Sequence, residues 1–139
     1  MNADKDKIVI GWLEQVWFPQ FDPAKKGVMA KIDTGADNGA LHCVFERVVK
    51  DEKGRDVLEF QPLNKKRPVI RTRKFKRIRV KSSNGATIRH QIETTILVKD
   101  KTYPIKLSLT DRTDMKYDVI IGWQFLDGKF LVDVAQTNV

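Results

Sequence analysis

The segment 65–98 constrains the fold more than any other part of the sequence, because it alternates like a strand on both sides of one turn signal. Within residues 77–81, cations fall on one parity and apolar residues fall on the other. The dipeptide Asn84-Gly85 follows, and it is the strongest short-range hairpin signal in the chain. An extended pattern resumes after it. The segment therefore predicts a long two-stranded ribbon with Ser82–Gly85 at its tip.

The remaining sequence reads as short strands separated by polar or glycine-containing turns, with no long amphipathic helix. The strands are expected at Val9–Trp17, Gly27–Ile32, Leu41–Lys50, Val57–Leu63, Thr102–Thr110, Val119–Gly122 and Lys129–Ala135. One helical turn is expected after Gly122, ended by Gly128. Short hairpins of this kind predict an all-β fold that closes into a barrel. At 139 residues we expect one domain over 1–139, with the basic ribbon around 65–98.

The distribution of charge and the cysteine content bear on the type of binding partner and on the cellular compartment. The net charge is +8, but eleven Lys and Arg residues and no acid lie between Gln61 and Ile92, so the other residues together carry −3. A single cysteine, Cys43, excludes an internal disulfide and predicts a reducing cytoplasm. The sequence contains no apolar run long enough for a transmembrane helix, and its charged N-terminus predicts no signal peptide.

The sequence offers little for metal-dependent or nucleophilic catalysis. His42 and Cys43 are adjacent, so in a strand they point to opposite faces and cannot bind one ion together. The same geometry argues against a Cys-His nucleophile, and no serine-hydrolase elbow or glycine-rich phosphate loop is present. We therefore predict no metal and no cofactor.

Two short motifs remain as candidates for a catalytic site. The first, "KIDTGAD", places Asp33 at the end of a strand, and the second is "DVIIGWQFL". Taken alone, Asp33 could be a catalytic carboxylate, a turn former or a metal ligand. Together, in this order and with a glycine-tipped ribbon between them, the motifs are far more specific.

This combination resembles the retropepsins, the single-domain aspartic proteases of retroviruses. Nearly the whole chain is similar to a bacterial retropepsin-like family once labelled ATP-dependent zinc proteases. The segments that carry this resemblance are "IGWLEQV" (Ile10–Val16), "KIDTGA…ALH" (Lys31–His42), "SSNG" (Ser82–Gly85), "LTDRTDM" (Leu109–Met115), "IIGWQFL" (Ile120–Leu126) and "FLVD" (Phe130–Asp133). The resemblance implies a closed retropepsin-like barrel, a β-hairpin flap and one short C-terminal helix.

The resemblance also implies a mechanism. An aspartic peptidase needs one ionised carboxylate to activate water and one protonated carboxyl to donate to the substrate carbonyl. Because the chain has one Asp-Thr-Gly, the second Asp33 would come from a homodimer. Thr34 would buttress the paired loops, and Gly35 would let the substrate backbone approach. The expected substrate-binding residues are Ala36, Asp37, Asn38, Ser83, Asn84, Gly85, Asp111, Arg112 and Asp114.

One departure from the retroviral pattern concerns Asp37. Retroviral enzymes place an arginine after "IIG", where it pairs with the acid in the position of Asp37, but this chain has Trp123. Arg112 is a candidate for a substitute source of that charge.

The basic ribbon has two interpretations. It is either a solvated strand face or a surface that attracts an acidic partner. Because the resembling bacterial family is associated with ATP-grasp ligases that add glutamates to proteins, the second reading predicts trimming of a glutamate-rich tail. Phe75 alone interleaves the cations, which argues against nucleic acid. A retropepsin-fold module that binds an acidic protein or RNA without hydrolysis is the alternative.

Overall fold

The computed structural model describes residues 6–22 and 25–139, apart from the side chain of Ser82. The first five residues, part of the N-terminus in which we predict no signal peptide, lie outside this range. The described residues contain β1 (Ile8–Val16), β2 (Val28–Ile32), β3 (Gly39–Lys50), β4 (Asp56–Pro62), β5 (Ile70–Thr72), β6 (Phe75–Ser82), β7 (Gly85–Val98), β8 (Lys101–Thr110), β9 (Val119–Ile121), α1 (Trp123–Leu126) and β10 (Phe130–Asn138). The predicted all-β class is confirmed, as is the short helix.

The strands form one sheet in the order β10-β1-β2-β9-β3-β8-β7-β6, and β4 and β5 branch from β3. An isolated antiparallel bridge joins Trp17, just after β1, to Leu97 in β7. The path of paired strands ends at β10 and β6, so strand pairing among the described residues does not close the sheet into a barrel; the two backbone hydrogen bonds of the Trp17–Leu97 bridge are the link between β1 and β7. None of the described helices is long and apolar enough to cross a membrane.

The ribbon is shorter than the sequence pattern predicts. Strands β6 and β7 pair from Phe75↔Ile92 to Ser82↔Gly85, but β5 pairs with β4 instead. The side chain of Gln61 explains part of this difference, because its amide donates to the carbonyl oxygen of Arg67 at 2.9 Å and holds the preceding loop against β4. The pairing of the two ribbon strands therefore spans 75–92, the rest of β7 pairs with β8, and residues 65–74 precede the ribbon, beside β4.

Buried apolar side chains from both ends of the chain meet in one core. Phe21 lies 5.5 Å from Phe18 and 5.8 Å from Phe60, measured between ring centroids. Phe125 of α1 stacks on Phe130 at 5.7 Å and meets the edge of Tyr103 at the same distance. These aromatic contacts fix α1 against the sheet, and α1 in turn positions the candidate site.

A buried carboxylate ties distant segments together. Glu14 in β1 is 2% exposed and accepts hydrogen bonds from the Gly11 amide and the Asn138 side chain, both at 3.0 Å. Lys99, in the turn between β7 and β8, completes this site with an ion pair of 3.0 Å. Because every partner is satisfied, the buried charge is tolerated, and it joins β1 to β10 and to the β7–β8 turn.

Candidate functional site

Asp33 begins the loop that leads from β2 into β3. Its amide donates to the carbonyl oxygen of Ile121 at 2.8 Å, which continues the pairing of β2 with β9 by one residue. The Gly35 amide donates to Oδ1 of Asp33 at 3.0 Å, and the Ala36 amide donates to the Asp33 carbonyl at 3.1 Å. The half-buried Asp33 carboxylate is therefore held by its own tight turn at the end of a buried strand.

The start of α1 clamps the far side of the same loop. The Trp123 amide donates to the carbonyl of Ala36 at 2.8 Å, and the Gln124 amide donates to the carbonyl of Asp37 at 3.1 Å. Gly122 makes this approach possible, because a Cβ there would lie 2.6 Å from the Ala36 carbonyl oxygen. The backbone of Gly122, Trp123 and Gln124 therefore holds the Asp33 loop in place, and we call these three residues the backbone seat of the loop.

Gly39 has the same function at the end of the loop. A Cβ at this position would lie 2.5 Å from the carbonyl oxygen of Ile120 and 2.5 Å from a methyl carbon of Leu107. The absence of a side chain lets β3 lie directly against β9 and β8. The sequence analysis did not single out Gly39.

Asp37 receives its hydrogen bond from Trp123. The indole Nε1–H donates to Asp37 Oδ1 at 2.9 Å, so the tryptophan occupies the place that an arginine takes in retroviral enzymes. Arg112 does not replace that arginine: among the described residues it forms no ion pair with Asp37, and its Nε–H donates to the carbonyl of Tyr117 at 2.8 Å. The suggestion that Arg112 pairs with Asp37 was therefore wrong, and the signal for the actual donor was the position of Trp123 directly after "IIG".

A cleft of about 740 Å³ opens over this loop. Six of the predicted site residues line it: Asp33, Gly35, Ala36, Asp37, Asn38 and Arg112. The sequence did not single out several other lining residues, among them Lys31, Arg79, Lys81, Arg89, Ser108 and Met115. Arg79 and Lys81 belong to the row of cations that the alternation in 77–81 predicts on one face of the strand. That these two cations line the same cleft as Asp33 follows from the folded position of the ribbon, which the alternation does not indicate.

Several predicted site residues lie outside the lining of this cleft. Ser83, Asn84 and Gly85 are exposed at the end of the β6–β7 hairpin, where Gly85 has a φ of +111°. Thr34 is exposed on the Asp33 loop.

The loop between β8 and β9 contains the remaining candidates. Asp111 is exposed and accepts hydrogen bonds from the side chain and the amide of Thr113, which lower the pKa of its carboxyl. The Arg112 amide donates to Nδ1 of His42 at 2.8 Å, so His42 holds this loop against β3. Asp114 is exposed. His42 and Arg112 fix the loop beside the cleft, and the two acids face solvent.

Cys43 and both histidines have protein partners. The Cys43 thiol donates to Glu46 Oε2 at 3.2 Å, and Nδ1 of His90 lies 2.6 Å from Glu46 Oε1. Burial, followed by the nearby Glu46 carboxylate, raises the pKa of the Cys43 thiol well above its ordinary value. Among residues 6–22 and 25–139, no group of three metal-binding side chains comes together.

The family model described as RimB-like, retropepsin-like aspartic endopeptidase RimB, matches residues 9–139. The chain belongs to this family. The match includes the Asp33 loop and the ribbon, which contribute lining residues to the cleft, and α1, which holds the Asp33 loop. The predicted resemblance to a bacterial retropepsin-like family is confirmed.

Curated relatives of this RimB-like chain include proteins named "Probable alpha-L-glutamate ligase". Those from Shewanella pealeana and Parasynechococcus marenigrum are each 31% identical over 95% and 91% of the chain. The matches cover only 30% and 28% of those proteins, so the chain spans less than a third of their length.

A solved structure shares the fold. It is the protein Lpg0085 of unknown function from Legionella pneumophila, which has a TM-score of 0.73 and 26% identity. The match covers 95% of this chain and 97% of that one. The RimB-like fold therefore also occurs as a chain of about this size.

Proposed function

We propose that the protein is an aspartic-type peptidase whose active site forms from two copies of Asp33 in a homodimer. One Asp33 would take a proton from the attacking water while the other, protonated, donates to the carbonyl oxygen of the scissile amide. The observation that carries this proposal is the position of Asp33 on a loop that α1 and β9 hold by backbone hydrogen bonds at the cleft. A rigid loop of this kind suits a carboxylate that must meet its symmetry mate at a fixed distance. A closed barrel, in which the Trp17–Leu97 bridge and side-chain packing join β1 to β7, belongs to the same proposal.

Asp37 also lines the cleft, but we assign the second carboxylate to the partner's loop instead, because Trp123 already engages Oδ1 of Asp37. Symmetry supplies a matched acid without another motif. Thr34 and Gly35 are exposed next to Asp33, as a contact with a second loop or with substrate requires.

The substrate would be an acidic peptide or protein tail. Five cations line the cleft, against the two acids Asp33 and Asp37. This excess of positive charge attracts carboxylates and repels basic chains. Similarity to part of proteins named as glutamate ligases supports a glutamate-rich tail and cooperation with an ATP-grasp ligase. The exposed hairpin end, Ser83–Gly85, would act as a flap over the bound tail.

The test compares Asp33→Asn with the wild type on a glutamate-rich peptide, with products separated by chromatography. We expect Asp33→Asn to abolish cleavage without changing dimer mass or melting temperature. Asp100→Asn is the matched control, because Asp100 is exposed in the β7–β8 turn and asparagine tolerates its φ of +69°. Undiminished cleavage by Asp33→Asn would refute the assignment.

Mixed dimers test the sharing of the site. When equal amounts of wild-type and Asp33→Asn subunits exchange freely, about a quarter of the dimers hold two intact acids. Activity per total protein should therefore fall to about a quarter, whereas independent monomers would keep about half. Loss of activity in a chelator would point to a metal hydrolase instead. A wild-type protein that binds the peptide but forms no product would favour the alternative, a binding module for an acidic protein or RNA.

A further inference from the structure

The five cations of the cleft differ in burial. Arg79 and Lys81, on β6, are exposed, so water solvates them and they contribute mainly a long-range field. Lys31, Arg89 and Arg112 are half-buried. Two of these three are arginines, whose planar guanidinium groups suit bidentate binding of carboxylates.

Each of the two arginines is oriented through its Nε atom. Nε–H of Arg112 donates to the Tyr117 carbonyl at 2.8 Å, and Nε–H of Arg89 donates to Oγ1 of Thr87 at 3.2 Å. These bonds use the inner nitrogen and leave the two terminal nitrogens of each fork to other acceptors. Among the described residues, neither guanidinium forms an ion pair with a carboxylate.

The two guanidinium groups also repel each other. Burial holds the pKa of Arg112 below its ordinary value, the charge of Arg89 lowers it further, and Asp118 acts in the opposite direction. Arg89 comes from β7 and Arg112 from the loop before β9, so the fold brings two like charges to the lining of one cleft, and Asp118 compensates them only at a distance, without an ion pair among the described residues. Such a pair is costly unless an anion binds between its members.

We propose that Arg89 and Arg112 form a subsite that binds one carboxylate of the substrate between them. This inference rests on the proposed function and deepens it, because it names which cations recognise the acidic tail. The bound group is either the side-chain carboxylate of a glutamate or the C-terminal carboxylate of the tail. Nucleic acid phosphate fits less well, since no aromatic ring lines the cleft for base stacking.

The test measures binding without cleavage, in the Asp33→Asn protein, by fluorescence anisotropy. The probes are a labelled peptide ending in a run of glutamates, its glutamine counterpart, and the glutamate peptide with an amidated C-terminus. We expect Arg89→Gln and Arg112→Gln each to weaken binding of the glutamate peptide about tenfold, since each removes charge-assisted hydrogen bonds. The double variant should lose less than the product of the two, because both arginines bind the same group.

Arg73→Gln is the matched control for charge. Arg73 is exposed in the same basic segment but lies outside the cleft lining, so its loss should change binding about twofold or less. Equal losses in all three variants would overturn the subsite in favour of a general field. Preferential binding of single-stranded RNA, with the same sensitivity to Arg89→Gln, would also overturn it.

The peptide arms identify the source of the carboxylate. If the effect of Arg89→Gln disappears with the glutamine peptide, the ligand is a side chain; if it disappears on amidation, the ligand is the C-terminus. Either result supports the subsite, and an effect that survives both changes overturns it. Arg112→Lys keeps the charge but loses the fork, and its melting temperature shows whether the bond to Tyr117 is needed for folding. Because cleavage is not measured, failure here leaves the test of Asp33 untouched.

Discussion

Gly122→Ala tests whether the backbone seat of the Asp33 loop controls activity. The φ of Gly122 is −90°, which alanine adopts freely, so the substitution introduces no left-handed strain. Its added Cβ would lie 2.6 Å from the carbonyl oxygen of Ala36 and 2.7 Å from that of Asn38. Both neighbours are backbone atoms, so a rotamer change cannot relieve the contact.

The expected magnitude follows from these distances. A carbon–oxygen contact normally needs about 3.4 Å, so the loop must retreat by about 0.8 Å. Overpacking of this kind costs about 1–3 kcal/mol, which for a chain of this size lowers the melting temperature by about 4–12 °C. Displacing Asp33 by nearly 1 Å should reduce kcat/KM about a hundredfold under the proposed function.

The assay pairs thermal unfolding with cleavage of a glutamate-rich peptide, measured well below the melting temperature. Gly54→Ala is the stability control: Gly54 has a φ of +76° with no atom near its Cβ position, so the variant should lose about 1–2 kcal/mol and keep its activity. Gly35→Ala should fold normally, because the nearest atom, Asp33 Oδ1, would be 3.4 Å away. Wild-type cleavage and stability in Gly122→Ala would refute the seat; a parallel loss in Gly54→Ala would show that activity merely follows stability.

Two further predictions concern the hydrogen-bond partners of Asp37 and of Asp22. Trp123→Phe removes the donor to Asp37 and should cost about 1 kcal/mol in urea unfolding, whereas Trp123→Arg should restore a partner and recover that loss; equal unfolding energies would contradict the role of the bond. The carboxylate of Asp22 is buried and lies 2.7 Å from a guanidinium nitrogen of Arg67. Burial raises the pKa of this carboxyl, but hydrogen bonds from Arg67 and from the Gly27 amide lower it by more. The pKa of Asp22 therefore lies below its ordinary value. Because the folded pKa is the lower one, this stabilisation is complete above pH about 4 and is lost as the pH falls through the folded value. The free energy of unfolding of Asp22→Asn, measured against pH, should therefore fall less steeply in acid than that of the wild type, and an unchanged slope would refute the assignment.

The local pattern predicted most of the fold. Alternation and turn residues placed the hairpins: the strand predicted to end at 98 and the one predicted to begin at Thr102 are joined by a tight turn at Lys99-Asp100, whose two positive φ values match a type I′ turn. The pattern failed in 65–74, because cations and β-branched residues there fit either partner strand. The pairing of β5 with β4 was decided by contacts such as that of Gln61 with Arg67, which join residues through the folded loop and leave no periodic signal.

The site was predictable where a motif fixes the backbone and not where distant segments converge. "KIDTGAD" and "IIG" identified Asp33 and its seat, because tight loops need specific small residues. Arg89 and Arg112 were not identified as a pair, since one lies on β7 and the other on a loop that His42 holds in place. A charge run predicts a basic surface, but the cleft is formed from parts of five separate segments.

Trp123 stands where the retroviral pattern has an arginine, and it donates a hydrogen bond to Asp37 without bringing a positive charge. In the retroviral pattern one arginine both donates to the acid and neutralises it, whereas the indole N–H only donates. The indole therefore adds no positive charge beside Asp37, which lines a cleft together with five cations and one other acid, Asp33. A bound peptide carries backbone N–H donors as well as carboxylates, so it needs acceptors on one wall and cations on the other. Asp37 on the Asp33 loop and the Arg89–Arg112 pair would meet these two needs separately, which lets one cleft align a backbone and select for acidic side chains.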